Sequence, residues 1–232
     1  MGRSPFRRVG QPRTARHRSV TGLGGAAKRA FDALVAGMLL AVGWPLGLLI
    51  ALAVRATSPG PALYRQTRLG IDGRPFTILK FRTMKVGAEP NGRAVWAVDD
   101  DPRCTAVGGV LRRLGLDELP QLWNVLLGDM SLVGPRPERP EFARGFGKRW
   151  PGFARRLTVR GGITGLAQVR GLRGDTDVGA RLQSDLEYIQ RWSLAFDLAI
   201  IARTIPSVLV RERAAGGGSD RLAGTVAEEP GF

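Results

Sequence analysis

The chain has 232 residues, enough for one domain with a hydrophobic core and an appended segment but not comfortably for two domains. Its 35 Lys and Arg residues outnumber its 20 Asp and Glu residues, so the formal charge is +15 and an anionic partner is expected: nucleic acid, anionic lipid or a phosphorylated substrate. The single cysteine, Cys104, and the single histidine, His17, exclude an internal disulfide, a cysteine or histidine metal cluster and a histidine-dependent nucleophile, so any catalysis must depend on carboxylates and arginines.

The first part of the chain combines a basic segment with an apolar one. Residues 1–27 contain several arginines and no acid, which predicts a disordered basic tail suited to anionic lipid headgroups. Residues 33–54 carry no charged side chain. A helix of this length rises roughly 30 Å at about 1.5 Å per residue, enough to cross the core of a bilayer. The pattern therefore predicts a membrane helix over residues 28–56.

The sequence leaves the topology of this helix open. Basic residues stand on both sides of the apolar run, so the positive-inside rule gives no orientation. Pro45 removes a helical hydrogen bond and predicts a kink nearby. A kinked helix that leaves the membrane by the face it entered and a kinked helix that spans the bilayer both fit this pattern.

A β-hairpin is predicted next, over residues 58–84, with two short strands around the turn pair at residues 72–73. Lys80 and Arg82 lie on its second strand in positions that could face a diphosphate, although basic strand residues are usually just exposed. Residues 99–101 are three consecutive aspartates in a loop, where solvation is favoured over a metal site.

The second half of the chain is predicted to be mostly helical. Helical patterning covers residues 108–130. Residues 136–160 interleave aromatic and basic side chains, which fits an amphipathic segment in the headgroup layer and equally fits core aromatics on a basic helix. A short strand at residues 163–169, a long helix at 178–213 and a disordered tail at 214–232 complete the chain. Four late side chains are expected to pack or to pair with arginine: Asp185, Tyr188, Trp192 and Asp197.

Two adjacent acids, Asp117 and Glu118, stand before an apolar helical run. The simpler interpretation is capping, because an acid at a helix start accepts backbone N–H bonds and Pro120 suits a first turn. The functional interpretation uses the same geometry, since a helix N-terminus also attracts phosphate oxygens. One carboxylate would then attack phosphorus while the other holds magnesium, with nearby arginines screening the charge.

Several short motifs occur in order along the chain: KRAFD at 28–32, SPGP at 58–61, KFRTM at 80–84, DDPR at 100–103, LDELPQLWNVLLGDMSLVGPRP at 116–137, GITGLAQV at 162–169 and DLEYIQRWSLAFD at 185–197. Through these motifs the chain resembles the bacterial sugar transferase family, the monotopic polyprenyl-phosphate sugar-1-phosphate transferases that start cell-surface glycan assembly. The resemblance extends from about residue 28 to residue 213, and a set of ordered motifs is far more specific than any one of them.

The resemblance implies roles for individual residues. Asp117 matches the nucleophile that attacks the sugar-bearing phosphate of a nucleotide diphosphate sugar, and Glu118 matches its magnesium-binding partner. Arg136 matches an arginine that holds substrate phosphates, and Arg112 matches a basic position linked to phospholipid or acceptor binding. Pro45 matches the proline at which the family's re-entrant helix breaks. A carboxylate nucleophile and a polyprenyl phosphate are both ionised near neutral pH, so neither step needs a histidine base.

The resemblance also implies a fold and a reaction. The expected fold is α+β and mostly helical, with a re-entrant membrane helix kinked near Pro45, a small β-hairpin, interfacial amphipathic helices and a long C-terminal helix. The catalytic domain, residues 57–213, is expected on the cytoplasmic face of the cell membrane, in contact with membrane phospholipid; a homodimer is left open. The expected reaction transfers a sugar-1-phosphate from a UDP-sugar to undecaprenyl phosphate, requires Mg²⁺ and releases UMP. It would be the first membrane step of exopolysaccharide, capsule, O-antigen or glycoprotein glycan synthesis, with the sugar undetermined.

Two rival functions stand beside this one. A basic membrane-anchored nucleic-acid binder would explain the charge but not the acid pair or the GPRP motif, and a GC-rich coding sequence would enrich arginine as well. An inactive scaffold of the same fold is the second rival, and the intact acids argue against it. The chain also departs from the family pattern at four places, so contacts to the sugar and the acceptor are not carried over: Ala106, Gly109, Gly115 and Gly161-Gly162.

Overall fold

The computed structural model describes residues 22–89, 101–174 and 176–215. Most of the two predicted tails lies outside the described residues, as do Asp99 and Asp100. The elements in chain order are α1 (Gly22–Thr57), β1 (Leu63–Leu69), β2 (Pro75–Phe81), α2 (Ala106–Leu114), α3 (Gln121–Leu127), β3 (Met130–Val133), α4 (Pro140–Arg149), β4 (Gly161–Thr164), α5 (Leu166–Val169), α6 (Val178–Arg191) and α7 (Leu194–Ala215). Short 3-10 turns lie at Ile71–Gly73, Leu116–Glu118 and Phe153–Thr158. The prediction of a mostly helical α+β fold with a small hairpin is confirmed.

Helix α1 is the long apolar helix expected from the sequence. It begins at Gly22, earlier than the predicted residue 28, and continues through Pro45. Its mean hydropathy reaches 2.2, and it is long and apolar enough to cross a membrane. Large apolar side chains are exposed along it, among them Leu34, Val42 and Leu49. A helix that exposes this much apolar surface is suited to contact with lipid.

The N-terminal end of α1 is anchored by buried charges. Lys28 Nζ lies 2.6 Å from Asp197 Oδ2 on α7, and Ser131 Oγ on β3 donates to Asp32 Oδ2 at 2.7 Å. Asp197 also accepts hydrogen bonds from Tyr188 and Trp192. The expectation that these late polar and aromatic side chains pack together is therefore confirmed, and the first and last motifs of the chain meet in one buried network.

The C-terminal end of α1 packs against the same globular part. Ile50 and Val54 form a buried cluster with Phe81 at the end of β2 and Leu111 on α2. Gly47 faces the Phe81 ring as well, since a Cβ there would lie 3.9 Å from it. Both ends of the apolar helix thus touch the domain that carries the rest of the fold.

The predicted hairpin is confirmed. Strands β1 and β2 pair antiparallel, with Leu63 opposite Phe81 and Leu69 opposite Pro75. At the turn, Asp72 has φ 55° and Gly73 has φ 70°, the left-handed backbone that an Asp-Gly pair tolerates. The hairpin is held on α3 by one side chain, because Asn124 bonds Leu79 N at 3.0 Å and Thr77 O at 2.8 Å.

A second, parallel sheet was not predicted. Strands β3 and β4 pair parallel, with Met130 opposite Gly161 and Val133 opposite Thr164. The strand predicted at residues 163–169 was therefore too long at its C-terminal end, since residues 166–169 form α5 instead. The physical reason is the length of the partner, because β3 has only four residues and the chain must turn once β4 has paired with it.

The predicted long helix at residues 178–213 is two helices. Helix α6 ends at Arg191, Trp192 has ψ 132°, and α7 begins at Leu194. Ser193 Oγ accepts a hydrogen bond from Phe196 N at 3.1 Å, which satisfies an otherwise free N–H at the start of α7. The break also places Trp192 against Asp197, so burial of the indole and this capping together outweigh helical continuity.

Three of the four aromatic residues of the segment 136–160 pack in one buried cluster. Phe153 is 1% exposed and packs with Ala143 of α4, Leu69 of β1 and Leu182 of α6. Phe146 and Trp150 pack against the same cluster. This arrangement favours the interpretation as core aromatics on a basic helix over an aromatic face in the headgroup layer.

Candidate active site

An open cleft of about 1880 Å³ crosses the face of the domain. Its walls come from the C-terminal part of α1, the hairpin, the turn at Leu116–Glu118, the loop after β3 and the segment around α5. The predicted residues that line it are Lys80, Arg82, Arg112, Asp117, Glu118 and Arg136. The cleft therefore joins an apolar helix at one end to a cluster of charged groups further in.

The two acids are placed by a tight turn between α2 and α3. Helix α2 ends at Gly115, whose φ of 70° is left-handed and whose N–H bonds back to the last turn of the helix. The chain then forms the 3-10 turn that carries Asp117 and Glu118, and Pro120 leads into α3. Neither acid caps a helix through its side chain, so the capping interpretation is not supported. A glycine at this left-handed position also accounts for one departure from the family pattern.

Glu118 is held by two cations. Lys80 Nζ donates to Glu118 Oε1 at 2.8 Å. Arg136 binds the same carboxylate as a fork, with Nη2 to Oε1 at 2.5 Å and Nη1 to Oε2 at 3.2 Å. Three charge-assisted hydrogen bonds thus fix this side chain against the wall of the cleft.

Asp117 has a different environment although it is the next residue. Its side chain makes no hydrogen bond with the residues that the structure describes, and its closest opposite charge is Lys80 Nζ, 4.0 Å from Oδ2. Asp117 is 8% exposed, yet it lines the cleft. It is therefore a desolvated carboxylate that is left unbonded beside a firmly held one.

These contacts separate the acidities of the two groups. Burial raises the pKa of Asp117 above its usual 3.8, and the negative charge of Glu118 adds to the rise. The positive charge of Lys80 is the largest effect that opposes it, followed by Arg136 and Arg112, but burial prevails. Burial also raises the pKa of Glu118, but the charges and hydrogen bonds of Arg136 and Lys80 outweigh it and hold that pKa well below its usual 4.5. Two neighbouring carboxyl groups of similar intrinsic pKa thus become a weaker acid, Asp117, and a stronger acid, Glu118.

The Arg136 loop is supported from beneath by buried charges. Arg156 Nη2 donates to Arg136 O at 2.8 Å and lies 2.7 Å from Asp185 Oδ2. Glu138, two residues beyond Arg136, lies 3.6 Å from Arg156 and 3.4 Å from Arg181. The loop is also tied to β4, since Gly162 N donates to Pro135 O at 3.0 Å, and a Cβ at Gly162 would come within 2.1 Å of Gly134 N. The pair with Arg156 confirms the expectation that Asp185 packs or pairs with an arginine, whereas the sequence did not single out the pairs of Glu138.

Arg82 is placed differently from Lys80 although both were predicted to face phosphate. Arg82 is 6% exposed, and its guanidinium donates five hydrogen bonds to the 58–61 loop: to Ser58 Oγ and to the carbonyls of Ser58, Pro59, Gly60 and Pro61. Since a guanidinium has five N–H groups, none is left for a ligand. This geometry favours a structural role for Arg82, which fastens the SPGP motif to the end of β2.

Arg112 and Pro45 complete the predicted set. Arg112 lies on the last turn of α2 at the edge of the cleft, where its Nη1 donates to Cys104 Sγ at 2.9 Å and its charge acts on Asp117. Pro45 lies in the middle of α1, exposed and away from the acid pair. The structure therefore brings Lys80, Arg112 and Arg136 to the two acids and leaves Pro45 apart.

The acid pair fits magnesium only together with a phosphate ligand. Within the described residues, no group of three or more His, Cys, Asp or Glu side chains could hold a metal. Mg²⁺ is usually bound by one or two carboxylates and by substrate phosphates, with water filling the remaining positions. Asp117 and Glu118 can supply the carboxylate share of such a set and no more.

Sequence comparison identifies the family. The model described as bacterial sugar transferase matches residues 23–211. The UDP-glucose:undecaprenyl-phosphate glucose-1-phosphate transferase of Caulobacter vibrioides is 50% identical over 191 residues, which are 81% of this chain and 71% of that protein. The exopolysaccharide production protein PSS of Rhizobium leguminosarum is 42% identical over 79% of this chain and 96% of its own length.

A further relative is longer than this chain. The Escherichia coli protein named UDP-glucose:undecaprenyl-phosphate glucose-1-phosphate transferase is 45% identical over 80% of this chain, and the chain spans only 41% of its length. The range matched by the family model, residues 23–211, includes the hairpin, the acid pair and nearly all of α1. With a family model that covers most of its length, the chain is a member of the bacterial sugar transferase family and a phosphoglycosyltransferase.

Proposed function

We propose that this protein transfers a sugar-1-phosphate from a UDP-sugar to a polyprenyl phosphate such as undecaprenyl phosphate, through a covalent phosphosugar intermediate on Asp117. The observation that carries the proposal is the asymmetry of the acid pair. Glu118 is fixed by Lys80 and Arg136, while Asp117 faces the cleft with no hydrogen bond from the described residues. A nucleophile must have a lone pair free to attack. Hydrogen bonds from Lys80 and Arg136 occupy most of the lone-pair positions of Glu118, whereas none of those on Asp117 accepts a bond from the described residues, so Asp117 is the better placed of the two acids.

The first step is an attack of Asp117 on the sugar-bearing phosphorus of the donor. An Oδ atom forms a bond to phosphorus, the bond to the bridging oxygen of the diphosphate breaks, and UMP leaves with that electron pair. Burial favours the attack because it raises the pKa of Asp117 and so makes the carboxylate more nucleophilic than an exposed one. No proton has to move, since UMP leaves as an anion.

The second step transfers the phosphosugar to the acceptor. A phosphate oxygen of the polyprenyl phosphate attacks the same phosphorus, and the bond to Asp117 breaks and regenerates the carboxylate. The acceptor is already ionised near neutral pH, so this step needs no general base either. Two sequential displacements at one phosphorus predict ping-pong kinetics.

The cations around Glu118 supply the electrostatic part of the mechanism. Arg136 is half-buried in the cleft wall, with 36% of its side chain exposed, and its fork matches the geometry of phosphate as well as that of a carboxylate. Lys80 stands between Asp117 and Glu118, at 4.0 Å and 2.8 Å. From these positions the two cations can bind the diphosphate while they keep Glu118 in place, and they offset the repulsion between Asp117 and the donor.

Magnesium is the expected cofactor, held by Glu118 with Asp117 beside it. When bound, it would neutralise part of the charge of the diphosphate. Within the protein, the role of Glu118 is to fix the orientation of Lys80 and Arg136 and to present a carboxylate of low basicity beside the nucleophile.

The proposed placement is monotopic, with the catalytic domain on the cytoplasmic face and α1 entering the membrane without leaving by the far side. The support is that both ends of α1 contact the same domain, through Lys28 at one end and Val54 at the other. A helix that crossed the bilayer with its domain on one side would carry one end away from that domain. The apolar side chains exposed between these ends, such as Val42, would face lipid.

Release of UMP by the purified, detergent-solubilised chain tests this function. A panel of UDP-sugars is incubated with and without undecaprenyl phosphate and Mg²⁺, and multiple turnover is expected only with all three components. Asp117→Asn should abolish turnover while the protein stays folded, whereas Asp129→Asn, which changes an acid of the same segment outside the cleft, should leave it unchanged. If no UDP-sugar gives UMP and the protein is retained on DNA in a salt-dependent manner, the nucleic-acid function is favoured instead.

A further inference from the structure

Arg68, on strand β1, lines the same cleft as the acid pair but belongs to none of the motifs that define the predicted site. Its guanidinium makes two hydrogen bonds, from Nη1 to Pro137 O at 3.0 Å and from Nη2 to Gln66 Oε1 at 2.5 Å. Its Nε has no hydrogen-bond partner among the described residues. Of five N–H groups, two are bonded, so three have no acceptor within the described residues.

Arg68 and Arg82 differ in how many of their N–H groups are bonded to the protein. Arg82 lies on the same hairpin and donates five hydrogen bonds to the protein, which is what a structural arginine does. Arg68 has the same number of donors and leaves most of them unused, although its side chain is only 17% exposed. Buried polar groups are normally bonded, and an exception requires an explanation such as an absent ligand.

The charges near Arg68 do not compensate it. Among the described residues, its nearest acid is Glu138, whose Oε2 lies 3.9 Å from Arg68 Nη1 and whose Oε1 is shared by Arg156 and Arg181. The pKa of Arg68 is lowered to about 10, mainly by burial and also by the charges of Arg136 and Arg139, while the charge of Glu138 opposes the fall. This part of the cleft therefore holds a cation that an anion would stabilise.

Arg68 also lies near the other cations of the predicted site, Arg136 and Lys80. Its Nη1 donates to the carbonyl of Pro137, the residue that follows Arg136, so the Arg68 guanidinium lies beside the backbone that carries Arg136. Lys80 lies on the paired strand β2, close enough to Arg68 for their positive charges to repel each other. Fork-shaped donors, positive charge and a position beside the acid pair all match the oxygens of a phosphate group.

Building on the transferase function proposed above, we infer that Arg68 is a phosphate-binding residue of this cleft, which donates its free N–H groups to a phosphate oxygen of the donor or of the acceptor. The shared chemistry is a phosphate dianion or diphosphate. With Lys80 and Arg136, it would place three cations around the phosphate groups that meet at Asp117.

Binding and stability of matched variants test this inference, with the full-length protein in one detergent. Arg68→Met should weaken the binding of UDP, UMP or undecaprenyl phosphate by about tenfold to hundredfold, the loss expected for charge-assisted hydrogen bonds. Its Tm should stay within about 2 °C of the wild type, because a poorly compensated buried cation has been removed. Arg156→Met, which breaks the buried pair with Asp185, should lower Tm clearly.

The ligands separate the sources of the phosphate. Weaker UDP and UMP binding would place Arg68 at the nucleotide phosphate, weaker UDP binding alone would place it at the sugar-bearing phosphate, and a raised KM for undecaprenyl phosphate alone would place it at the acceptor. Arg68→Lys, which keeps the charge without the fork, should fall between the wild type and Arg68→Met. Arg74→Met, on the same hairpin and outside the cleft, is the control and should change none of these values.

Two results would overturn the inference. One is UDP, UMP and acceptor affinities within twofold of the wild type in both Arg68 variants. The other is a fall in the Tm of Arg68→Met as large as that of Arg156→Met, which would make Arg68 a structural residue. Nucleotide binding is measured without turnover, so failure of the inference remains distinct from failure of the transferase function.

Discussion

Neutralising the two adjacent acids one at a time should change the stability of the protein in opposite directions. In Glu118→Gln, the amide faces Lys80 and Arg136 in place of a carboxylate that accepts hydrogen bonds at 2.8, 2.5 and 3.2 Å. Breaking a buried ion pair costs roughly 3–5 kcal/mol, and partial exposure of Arg136 argues for a smaller loss here, about 2–4 kcal/mol. For a domain of this size that corresponds to a fall in Tm of roughly 5–15 °C.

Asp117→Asn should leave Tm unchanged or raise it. The carboxylate gives up no hydrogen bond to the described residues, and its replacement removes a buried charge and the repulsion from Glu118. The attraction to Lys80 at 4.0 Å is lost, but the raised pKa of Asp117 shows that the surroundings as a whole oppose its charge. Asp129→Asn serves as the control and should change the free energy of unfolding by less than about 0.5 kcal/mol.

The pKa shifts of Asp117 and Glu118 also predict how the stability differences between the variants and the wild type depend on pH. A folded-state pKa of Asp117 above 3.8 means that its stabilising contribution is present below that value and is lost as pH rises through the folded pKa. The advantage of Asp117→Asn should therefore be largest near neutral pH and vanish on acidification. For Glu118 the pKa is depressed, so its contribution is present above 4.5 and is lost as pH falls through the folded pKa.

Thermal unfolding of the three variants, followed by tryptophan fluorescence in one detergent and at one heating rate, is the assay. The reasoning is refuted if Asp117→Asn lowers Tm as much as Glu118→Gln does, because the two carboxylates would then be equally engaged by the protein.

Three further predictions follow from the site. Because burial raises the pKa of Asp117, kcat/KM for the UDP-sugar should decrease on acidification with an apparent pKa above 3.8. An apparent pKa at or below 3.8 in the pH–rate profile would contradict the assignment of Asp117 as the nucleophile. Arg136→Lys loses the fork and should raise the donor KM by about tenfold in steady-state kinetics, whereas an unchanged KM would show that Arg136 serves only Glu118. Arg82→Gln should lower Tm, because the Arg82 guanidinium gives its hydrogen bonds to the 58–61 loop, while the KM of the folded fraction for the UDP-sugar stays at the wild-type value. A rise in this KM without a fall in Tm would instead indicate that Arg82 binds phosphate.

Local signals account for the parts of the fold that the sequence predicts well. The Asp-Gly pair at residues 72–73 specifies a turn by its backbone preferences, and the uncharged run of α1 is visible in composition alone. The parallel pair β3–β4 has no such signal, because each strand has four residues and its partner lies about thirty residues away. The break at Ser193 was missed for a related reason, since the contact between Trp192 and Asp197 that accompanies it is tertiary.

In the candidate site, too, the sequence identifies local features but not those that depend on tertiary contacts. The acid pair stands out in the sequence, and the resemblance to the family added Arg136 and the separate roles of the two acids, but two adjacent carboxylates are chemically alike in a sequence. Their difference arises from Lys80, which comes from β2, and from Arg136, which comes from the loop after β3. Arg68 and Arg82 are likewise indistinguishable as hairpin arginines, and only the carbonyl groups that surround Arg82 separate them.

Trapping the covalent intermediate tests the central claim most directly. The purified wild-type protein is incubated with the active UDP-sugar in the absence of acceptor and analysed by mass spectrometry, with Asp117→Asn and Glu118→Gln in parallel. The account predicts about one UMP released per chain and a phosphosugar adduct on the peptide that contains Asp117, absent from Asp117→Asn and discharged when undecaprenyl phosphate is added. UMP release that strictly requires the acceptor, with no adduct at any time, would contradict the account and indicate direct transfer between donor and acceptor.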